Sequence, residues 1–369
     1  MGNKKLTISL VTWNGEKYLP LLFNSLKKQT FQDFDIVVLD NGSSDKTVEI
    51  LKQVQSLPST GLGDDSVDVF DNLKIIKKDK NTGFAGGHNE IFEKNDSEYF
   101  LVLNQDIFLK EDVLEKMVKF MDENEDIASV APKLNKWVDP SVIPAQAGIQ
   151  DIDSLGLKVL KNRRVIENKG ILRQAQDDPD TTSTTISGYG ASNKVIHDDK
   201  ALEVFGVSGA CAIYRRESIQ DVGGLFDDDY FAYKEDVDLG YRLRQRGLKS
   251  CVLLNAQAWH DRTGSEKGKT DINQAENKKK QTKVVKYYSY RNHLMTIYKN
   301  EYWQNFTIDF LPILWYELKK FIWFLLFDRA ILKVWKEIWE MRKELKQKRK
   351  EVIKIRKLNW KQMRKVFTL

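Results

Sequence analysis

The sequence predicts an α/β protein: a doubly wound, mainly parallel sheet flanked by helices, followed by an amphipathic helical extension at the C-terminus. Two observations lead to this fold class. Within the first 135 residues, short apolar runs alternate with stretches of helical periodicity, which is typical of βαβ units. Polar side chains follow most of these runs, and sheets of this class bind ligands beyond the carboxyl ends of their strands.

The individual elements follow from the positions of the runs. Strands are predicted over residues 6–13, 34–40, 73–77, 99–104 and 127–131. Helices are predicted over residues 19–28, 46–55 and 111–123. After a long interruption, an apolar run at 204–214 is expected to restart the core, and a further strand is expected at 249–254.

The composition is that of a globular protein, with 41% hydrophobic and 30% charged residues over 369 positions. Cys211 and Cys251 lie in apolar runs and have neither the number of a disulfide framework nor the spacing of a zinc site. A reducing cytosol fits this usage best. The N-terminal residues lack the apolar core of a signal peptide, so export is not expected.

The predicted domain organisation depends on two parts of the chain, the aperiodic stretch after the first five strands and the C-terminal part. Residues 137–203 are rich in Asp, Ser, Thr, Gly and Gln and have little periodicity, so they are predicted to be variable loops without catalytic chemistry. We expect residues 1–300 to form the α/β domain and residues 301–369 to form a separate helical region.

The net charge of +6 is unevenly distributed along the chain. Residues 328–369 contain 15 Lys and Arg against 5 Asp and Glu, a local charge of +10, which leaves −4 for the rest. Residues 306–327, just before this basic segment, are mostly aromatic and aliphatic but include three charged side chains at mid-segment, Glu317, Lys319 and Lys320.

A helix that crosses a membrane needs about 20 consecutive apolar residues, and these charges interrupt the run. The predicted partner is therefore an anionic membrane surface, on which the helix lies in the interface. Helices packed on the body, a short coiled coil and nucleic-acid binding are the alternatives, although no recognised nucleic-acid module accompanies the charge.

Two motifs at predicted strand ends suit a nucleotide. Residues 36–45, IVVLDNGSSD, end a strand with Asp40, whose carboxylate could accept a hydrogen bond from a base or a ribose. Residues 81–89, NTGFAGGHN, contain three glycines that let the backbone approach a ligand closely. This second motif matches neither the dinucleotide-binding nor the P-loop pattern.

A third motif suits a metal ion. The run at 99–109, YFLVLNQDIFL, places Asn104 and Asp106 just beyond a buried strand. Asp106 supplies the hard oxygen that Mg²⁺ or Mn²⁺ prefers when it bridges two phosphates, and His260 is a candidate second ligand. A structural role is the alternative for this histidine.

The segment at 226–247, FDDDYFAYKEDVDLGYRLRQRG, carries six carboxylates within residues 227–238, and four aromatic rings lie beside them at residues 226–233, just ahead of a predicted helix. Burying a carboxylate without a use for it is costly, so this crowding predicts a pocket that holds an acid or a base. An acidic surface turn followed by an amphipathic helix is the alternative.

Together with TWN at residues 12–14, SGACAIYRRE from Ser208 and a late AWH, these motifs resemble the series found in inverting glycosyltransferases of family 2. The branch that they resemble most is the rhamnosyltransferase-like one, which builds bacterial surface polysaccharides. The resemblance implies a GT-A fold, a divalent cation, Mg²⁺ or Mn²⁺, and a nucleotide-diphosphate sugar donor such as dTDP-rhamnose or a UDP-sugar.

The resemblance also implies roles for individual residues. The donor and its nucleotide would be bound by Thr12, Asn14, Asp40, Asn81, Gly83, Phe84, Ala85, Gly86 and Asn104, with Asp40 on the base. The metal would be bound by Asp106 and His260. Asp236 would be the catalytic base, and the acceptor side would be formed by Glu235, Asp238 and Gly209. Asn104 replaces the first aspartate of the family's metal-binding Asp-x-Asp, which leaves one anionic ligand.

Inverting transfer requires a base on the face of the sugar opposite the leaving diphosphate. We expect the helix dipole to keep Asp236 ionised for that task, Asp238 to bind acceptor hydroxyls or cap the helix, and the three aspartates at 227–229 to be loop and acceptor-side residues.

The predicted function is transfer of a sugar, with rhamnose as the candidate, to a lipid-linked or polysaccharide acceptor. The predicted location is peripheral, at the inner face of the cytoplasmic membrane. A non-catalytic carbohydrate-binding or scaffold protein and a nucleotidyltransferase are the alternatives.

Overall fold

The computed structural model describes residues 4–56, 70–137, 152–169, 200–261 and 282–368, together with residues 171–172, 186–187 and 195–196. The strands are β1 (Leu6–Thr12), β2 (Phe34–Asp40), β3 (Leu73–Lys77), β4 (Tyr99–Leu103), β5 (Ile107–Leu109), β6 (Ile127–Lys136), β7 (Ile152–Ser154), β8 (Leu157–Leu160), β9 (Val165–Glu167), β10 (Ile171–Leu172), β11 (Ile186–Ser187), β12 (Val195–Ile196), β13 (Ala201–Val204), β14 (Cys211–Arg215), β15 (Lys249–His260) and β16 (Phe367–Thr368).

The helices alternate with the strands at first and then dominate the C-terminal part. They are α1 (Leu19–Lys27), α2 (Thr47–Ser56), α3 (Gly83–Glu93), α4 (Val113–Asp122), α5 (Arg216–Asp221), α6 (Glu235–Arg246), α7 (Lys283–Asn300), α8 (Trp303–Ile308), α9 (Phe310–Phe327), α10 (Lys333–Glu340), α11 (Arg342–Ile355) and α12 (Trp360–Arg364).

The central sheet has the strand order β12-β13-β15-β6-β14-β4-β1-β2-β3. Strands β3, β2, β1 and β4 are parallel to one another, and β6 and β15 run in the same direction. Because β14 lies antiparallel between β4 and β6, and β13 lies antiparallel to β15, the sheet is mixed. The carboxyl ends of six strands therefore meet at one edge, and the segment before β14 reaches the same edge.

Helices cover both faces of this sheet, which confirms the predicted fold class. One core joins the sheet to α1, α2 and α4, and the other joins it to α3, α6 and α7. Alternation along β2 explains the two cores, since Ile36 and Val38 belong to the first and Val37 and Leu39 to the second.

For the elements predicted through β4, the bounds agree with the structure. Most of the glycine-rich segment at 81–89, for which the sequence predicts a loop, instead forms the first half of α3, and later elements also differ. The run at 204–214 is two strands instead of one, because β13 ends at Val204 and β14 begins at Cys211. The strand predicted at 249–254 continues to His260, past a register shift between Leu253 and Gln257. Cys211 and Cys251 lie in β14 and β15, in agreement with the strands predicted there, and both are free and buried.

The C-terminal helices share cores with the first 300 residues. Leu345 of α11 packs in the core under α6, and Met363 and Phe367 pack against Leu157 and Val237. No helix in the described residues is long and apolar enough to cross a bilayer. The domain boundary at residue 300 stays a prediction.

Candidate active site

The first two strand-end loops are joined by side chains at the carboxyl edge of the sheet. The backbone N–H of Asn14 donates to Ser43 Oγ at 2.9 Å, and Asn14 Oδ1 accepts from the N–H of Ser44 at 2.9 Å. Thr12 Oγ1 donates to Gln105 Oε1 at 2.5 Å, which adds the loop after β4. Thr12 and Asn14 thus shape the predicted nucleotide side of the edge.

Asp40 is fully buried at the end of β2. Its Oδ1 accepts from Ser43 Oγ at 2.5 Å and from the Ser43 N–H at 3.3 Å, so the carboxylate fixes the turn that follows the strand. The structure therefore gives Asp40 a loop-shaping contact, and its contact with a base stays a prediction.

The loop before α3 joins the nucleotide side to the acidic segment that precedes α6. Asn81 Oδ1 accepts from the N–H of Gly83 at 2.8 Å, and Gly83 has a positive φ of 81°. A Cβ at Gly83 would lie 2.3 Å from the carbonyl oxygen of Phe231, so only glycine fits. That carbonyl accepts from the N–H of Phe84 at 2.7 Å and caps the helix.

The remaining residues predicted on the donor side differ in how deeply they are buried. Gly86 and Asn104 are half-buried, and the N–H of Asn104 donates to the carbonyl of Ala210 at 2.8 Å. Ala85 is fully buried and packs in the core beneath α3, so it does not line the donor side as predicted.

Asp236 lies in the first turn of α6, where three segments converge. Its Oδ2 accepts from the N–H of Gly209 at 3.1 Å, and its Oδ1 accepts from the N–H of Val237 at 2.7 Å. A Cβ on Gly209 would lie 3.5 Å from Asp236 Cβ and 3.7 Å from the Phe84 ring. The side chain of Asp236 is thus fixed beside the donor-side loop.

Burial raises the pKa of Asp236 above its ordinary value, and the charge of Glu167 raises it further. Desolvation thus opposes the ionisation that the helix dipole is expected to favour, and the ionised state of Asp236 stays a prediction. A carboxylate with a raised pKa is a stronger proton acceptor once ionised, which suits a general base.

The segment just before Asp236 contains two residues with a strained backbone conformation. Tyr233 and Lys234 both have a φ of 73°, a left-handed conformation that costs roughly 1–3 kcal/mol per residue. Asn292 of α7 donates through Nδ2 to the carbonyls of Ala232 and Tyr233 at 2.9 and 2.7 Å. The C-terminal half of the chain therefore keeps the acidic segment in its shape.

His260 and Asp106 face each other across the same edge. His260 Nε2 lies 3.5 Å from Asp106 Oδ1, and His260 Nδ1 lies 3.0 Å from Asp153 Oδ2. A carboxylate on the far ring nitrogen orients a metal-binding histidine and fixes its tautomer. The pair offers one carboxylate oxygen and one imidazole nitrogen, which fits Mg²⁺ or Mn²⁺ that fills its other positions with phosphate and water.

Within the described residues, no three His, Cys, Asp or Glu side chains converge to enclose a metal ion. The protein would thus supply two ligands through Asp106 and His260, with Asp153 behind the imidazole. This agrees with the sequence, in which Asn104 stands in place of the first aspartate of the Asp-x-Asp motif and leaves one anionic ligand there.

The sequence profile described as "Glycosyl transferase family 2" matches residues 7–223, more than half of the chain. The chain belongs to this family. The matched region contains both strand-end loops, the segment before α3 and the loop that carries Gly209, and it ends before Asp236.

Relatives of this glycosyl transferase family 2 chain match shorter stretches. An uncharacterized glycosyltransferase of Haemophilus influenzae is 29% identical over 124 residues, which are 34% of this chain and 45% of that protein. TarS of Staphylococcus aureus, a poly(ribitol-phosphate) β-N-acetylglucosaminyltransferase, is 28% identical over 123 residues, 32% of this chain and 19% of TarS. An N-acetylglucosaminyl-diphospho-decaprenol L-rhamnosyltransferase of Mycobacterium tuberculosis is 44% identical over 59 residues, 16% and 19% of the two chains. The matched stretches therefore span less than half of these relatives.

Solved structures resemble this family member over most of its length. The structure of GalNAc-T7 with UDP, GalNAc and Mn²⁺ superposes with a TM-score of 0.53 at 13% identity, covering 83% of this chain and 50% of that one. TarS 1–349 in complex with UDP has a TM-score of 0.43 at 17% identity, covering 81% and 67%. The similarity to GalNAc-T7 supports the predicted GT-A fold.

Two residues predicted on the acceptor side have different surroundings. Asp238 is fully buried, with Oδ2 accepting from Arg242 Nε at 3.0 Å and Oδ1 lying 2.9 Å from Lys299 Nζ. Glu235 is buried, and its Oε2 has no hydrogen-bond partner among the described residues. Asp238 therefore neither reaches an acceptor nor caps the helix, since Lys234 is the N-cap.

The three aspartates ahead of α6 are structural in part. Asp227 pairs with Lys299 of α7 and with Lys348 of α11, whose Nζ lies 2.6 Å from Asp227 Oδ1 and 2.6 Å from Asp229 Oδ2. Asp228 accepts from Asn89 Nδ2 at 2.7 Å. We correct the expectation that Asp227 and Asp229 serve the acceptor, because their carboxylates neutralise lysines of the C-terminal helices.

Sequence reasoning missed Asp153 and Glu167, which lie within residues 137–203, where no chemistry is predicted. Glu167 Oε1 accepts from Ser208 Oγ at 3.3 Å, and its charge acts on Asp236. The alternation at 157–160 and 165–167 is a weak strand signal that could have placed Glu167 on a sheet. Within 137–203, the structure describes residues 137, 152–169, 171–172, 186–187, 195–196 and 200–203, and the prediction for the other residues stays a prediction.

Glu235 provides a test of the site's electrostatics. Burial, and then the charge of Asp236, raise its pKa to about 8, against an ordinary value of 4.5. Between these two values the folded state binds a proton that the unfolded state has lost, so Glu235 makes the protein less stable as pH rises through this window. We expect Glu235→Gln to raise the Tm relative to wild type more at about pH 9 than at about pH 5.

Thermal unfolding of both proteins across that range measures the difference. Glu217→Gln, at an exposed glutamate of α5, is the matched control and should give a difference that does not vary with pH. A pH-independent difference for Glu235→Gln would show that Glu235 is ionised in the folded protein at neutral pH.

Proposed function

We propose that the protein is an inverting glycosyltransferase that uses a nucleotide-sugar donor and Asp236 as the general base. The observation that carries this proposal is the position of Asp236. Its carboxylate is held by the Gly209 N–H beside Phe84, at the edge where the donor-side loops meet. Family membership and the UDP complexes of structurally related proteins support the nucleotide-sugar donor.

In the proposed reaction, a hydroxyl oxygen of the acceptor attacks the anomeric carbon of the donor sugar. The bond from that carbon to the diphosphate oxygen breaks, and the nucleoside diphosphate leaves with the bonding electron pair. Asp236 accepts the hydroxyl proton, so charge and atoms balance. Attack from the face opposite the leaving group inverts the anomeric configuration.

Asp106 and His260 would hold a divalent cation, which when bound offsets the negative charge that develops on the departing diphosphate. The contribution of this chain is orientation: Asp153 directs the imidazole through Nδ1, and the pairing of β5 with β15 places His260 beside Ile107.

Removing the carboxylate charge of Asp106 should weaken this binding. We expect Asp106→Asn to lose most of the extra thermal stabilisation that Mn²⁺ adds in the presence of UDP or dTDP, because the one anionic ligand of the pair is gone. The measurement is a Tm series over Mn²⁺ concentration. Asp71→Asn, at an exposed loop residue, is the control. A Mn²⁺ response equal to that of wild type would contradict the metal role of Asp106.

We further propose a lipid-linked sugar as acceptor, with rhamnose from dTDP-rhamnose as the first candidate for transfer. The M. tuberculosis relative is named for a diphospho-decaprenol acceptor and for L-rhamnose, although it matches over only 59 residues. The named activity of TarS makes N-acetylglucosamine the second candidate, and a TarS structure in complex with UDP-GlcNAc suggests UDP as its carrier. A thermal-shift screen of nucleotide-sugars distinguishes the two donors, since the tighter ligand stabilises the fold more.

A lipid-linked acceptor requires contact with a membrane, and α9 offers an apolar face for it. At 100° per residue, all of its exposed large apolar side chains except Phe327 fall within an arc of about 160° on the helix. They are Phe310, Leu311, Leu314, Trp315, Leu318, Phe321, Ile322, Leu325 and Leu326. Glu317 and Lys320, which interrupt the apolar run in the sequence, lie outside the arc, and Glu317 pairs with His293 of α7 at 2.8 Å. We call this set of side chains the apolar arc.

The basic residues around the apolar arc suit an anionic surface. Lys319 lies at the border of the arc with its Nζ 5.7 Å from the centre of the Trp315 ring, and Trp335 and Trp339 of α10 extend the exposed aromatic surface. Aromatic rings and basic side chains together are typical of helices that lie in the interface of an anionic bilayer.

Polar substitutions in the arc should release the protein from vesicles. We expect a triple variant, Leu311→Ser, Trp315→Ser and Leu326→Ser, to bind phosphatidylglycerol vesicles at least about tenfold more weakly, because each buried apolar side chain contributes roughly 1.5–3 kcal/mol. Vesicle co-sedimentation measures it. Leu21→Ser with Val284→Ser, at exposed positions outside α8 to α10, is the control. Unchanged sedimentation of the triple variant would rule out the arc as the membrane contact.

A further inference from the structure

One face of α7 makes hydrogen bonds to the chain on both sides of the start of α6. The face carries Asn292, Thr296 and Asn300, which are four residues apart and lie within an arc of about 80° at 100° per residue. Thr296 Oγ1 lies 2.7 Å from the hydroxyl oxygen of Tyr230, ahead of α6. Asn300 Nδ2 donates to Asp238 Oδ1 at 2.8 Å, within the first turn of that helix. The segment that carries the proposed base is thus held from α7.

Asn292 bonds two consecutive carbonyls of this segment. Its side chain is fully buried, and Nδ2 donates to the carbonyl of Ala232 at 2.9 Å and to that of Tyr233 at 2.7 Å. A carbonyl oxygen only accepts, so the amide nitrogen must face the segment. On the other side, Oδ1 accepts from Arg291 Nη1 at 3.3 Å, and the same nitrogen donates to the carbonyl of Asp229 at 2.7 Å. The orientation of the amide is therefore fixed by both of its ends.

The two carbonyls belong to the peptide planes that set two left-handed torsions. The Ala232 carbonyl lies in the plane that ends at the nitrogen of Tyr233, so the orientation of this plane determines φ of Tyr233. The Tyr233 carbonyl determines φ of Lys234 in the same way. Both φ values are 73°, a conformation that side chains other than glycine rarely adopt. Each N–H of the Asn292 amide thus holds one strained residue in place.

The direction of the Asp236 carboxylate depends on this turn. Lys234 is the N-cap of α6, and Asp236 follows two residues later. Because the turn sets how the chain enters the helix, a change in either torsion would move the Asp236 carboxylate from the N–H of Gly209, which it meets at 3.1 Å. The donor-side loop has a further anchor of its own, since Asn41 Nδ2 donates to the carbonyl of Gly83 at 3.0 Å. Relaxation of the turn would therefore shift the base relative to the donor side.

We propose that Asn292 is a positioning residue for sugar transfer: by holding the two left-handed residues before α6, its amide fixes the direction in which Asp236 faces the acceptor hydroxyl. This inference rests on the proposed function, because Asp236 is the base of that reaction. Asn292 does not contact the substrates, since it is buried and both of its N–H groups are bonded to the segment. Its loss affects the chemical step and leaves donor binding intact.

The test is a double-mutant cycle between Asn292→Ala and Lys234→Gly. Glycine adopts the left-handed conformation without strain, so the turn should keep its shape in Lys234→Gly even without the amide. We expect Asn292→Ala to lower kcat by about 10²-fold on its own, the cost of a displacement of about 1 Å, and by at most about tenfold in the Lys234→Gly background. The KM for the donor and the Tm shift caused by the nucleotide-sugar should be unchanged.

Asn305→Ala is the matched control. Asn305 of α8 is also fully buried, and its Nδ2 donates to the carbonyl of Trp360 at 2.9 Å. This variant should lower the Tm and keep kcat, which separates loss of position from loss of stability. Asn292→Ser, whose hydroxyl can still donate to one carbonyl, should lose less kcat than Asn292→Ala. It takes the place of Asn292→Ala in the cycle if the alanine variant does not fold.

Equal kcat of Asn292→Ala and wild type would overturn the proposal, and so would the same loss of kcat in both backgrounds. The Tm values of the cycle report the hold on the turn without an assay of transfer: Asn292→Ala should lower the Tm less in the Lys234→Gly background. Coupling in Tm together with unchanged kcat would overturn the positioning role and leave the proposed function standing. Coupling in Tm without sugar transfer by wild type from any nucleotide-sugar would instead refute the proposed function.

Discussion

We expect Asp236→Asn to lower the rate of sugar transfer by about 10²- to 10⁴-fold, the usual contribution of a general base. Asparagine has nearly the same shape and keeps an oxygen that can accept from the Gly209 N–H. The fold should therefore survive, and the Tm shift caused by the donor should stay within error of wild type. The loss should appear in kcat, because proton transfer from the acceptor hydroxyl occurs in the transition state.

The control for a missing carboxylate is Asp126→Asn, at an exposed residue that pairs with Lys249. It should keep full activity. If Asp236→Asn were folded, bound the donor and transferred sugar at the rate of wild type, the base assignment would be wrong. In that case the transfer rate of Glu235→Gln should be measured, because Glu235 is the adjacent carboxylate in the first turn of α6.

The second large effect concerns stability. Lys299 is almost fully buried and pairs with both Asp227 and Asp238, whose Oδ1 lies 2.9 Å from its Nζ. We expect Lys299→Met to lower the free energy of unfolding by about 3–5 kcal/mol, because breaking a buried ion pair is strongly destabilising. Asp227 would keep Lys348 and Asp238 would keep Arg242, so each buried carboxylate would lose one of its two cations. Denaturant unfolding followed by circular dichroism measures the change.

An exposed lysine provides the comparison for Lys299→Met. Lys336→Met removes a lysine whose nearest acid, Glu340, is 3.7 Å away at the surface, and exposed pairs contribute about 0–1 kcal/mol. A loss of less than about 1 kcal/mol for Lys299→Met would show that the network does not hold the acidic segment. Membrane binding is therefore better tested by point substitutions than by deleting residues 305–369. The deletion would also remove Lys348 from Asp227 and Asp229 and so disturb the acidic segment.

Local patterns in the sequence were sufficient for the first half of the fold. The strands through β4 and the helices α1 and α2 follow from short periodic runs, and their bounds need no information from distant residues. The helix α3 was missed, because glycine has a low helix propensity and three glycines lie in its first half. The antiparallel position of β14 could not be predicted in this way, because it depends on pairing with β4 and β6 across more than 80 residues of chain. Parallel and antiparallel neighbours have the same local apolar pattern.

The site shows the same limit. Strand-end residues such as Thr12 and Asp106 were predictable, since all carboxyl ends of parallel strands meet at one edge. Asp238 was predicted to bind acceptor hydroxyls or to cap the helix, because its lysine partner lies about 60 residues later in the chain and could not be seen from the local sequence. Glu317 and Lys320 seemed to interrupt an apolar helix, whereas the structure places them toward α7 and leaves the apolar arc free of charge.

The most direct test of the central claim is the anomeric configuration of the first product. The nucleotide-sugar that gives the largest thermal shift is incubated with the protein and a lipid-linked acceptor, and NMR follows the anomeric proton from donor to product. We expect a glycosidic bond of configuration opposite to that of the donor, formed by wild type and absent with Asp236→Asn over the same period. A product that retains the donor configuration would contradict direct displacement with Asp236 as its base.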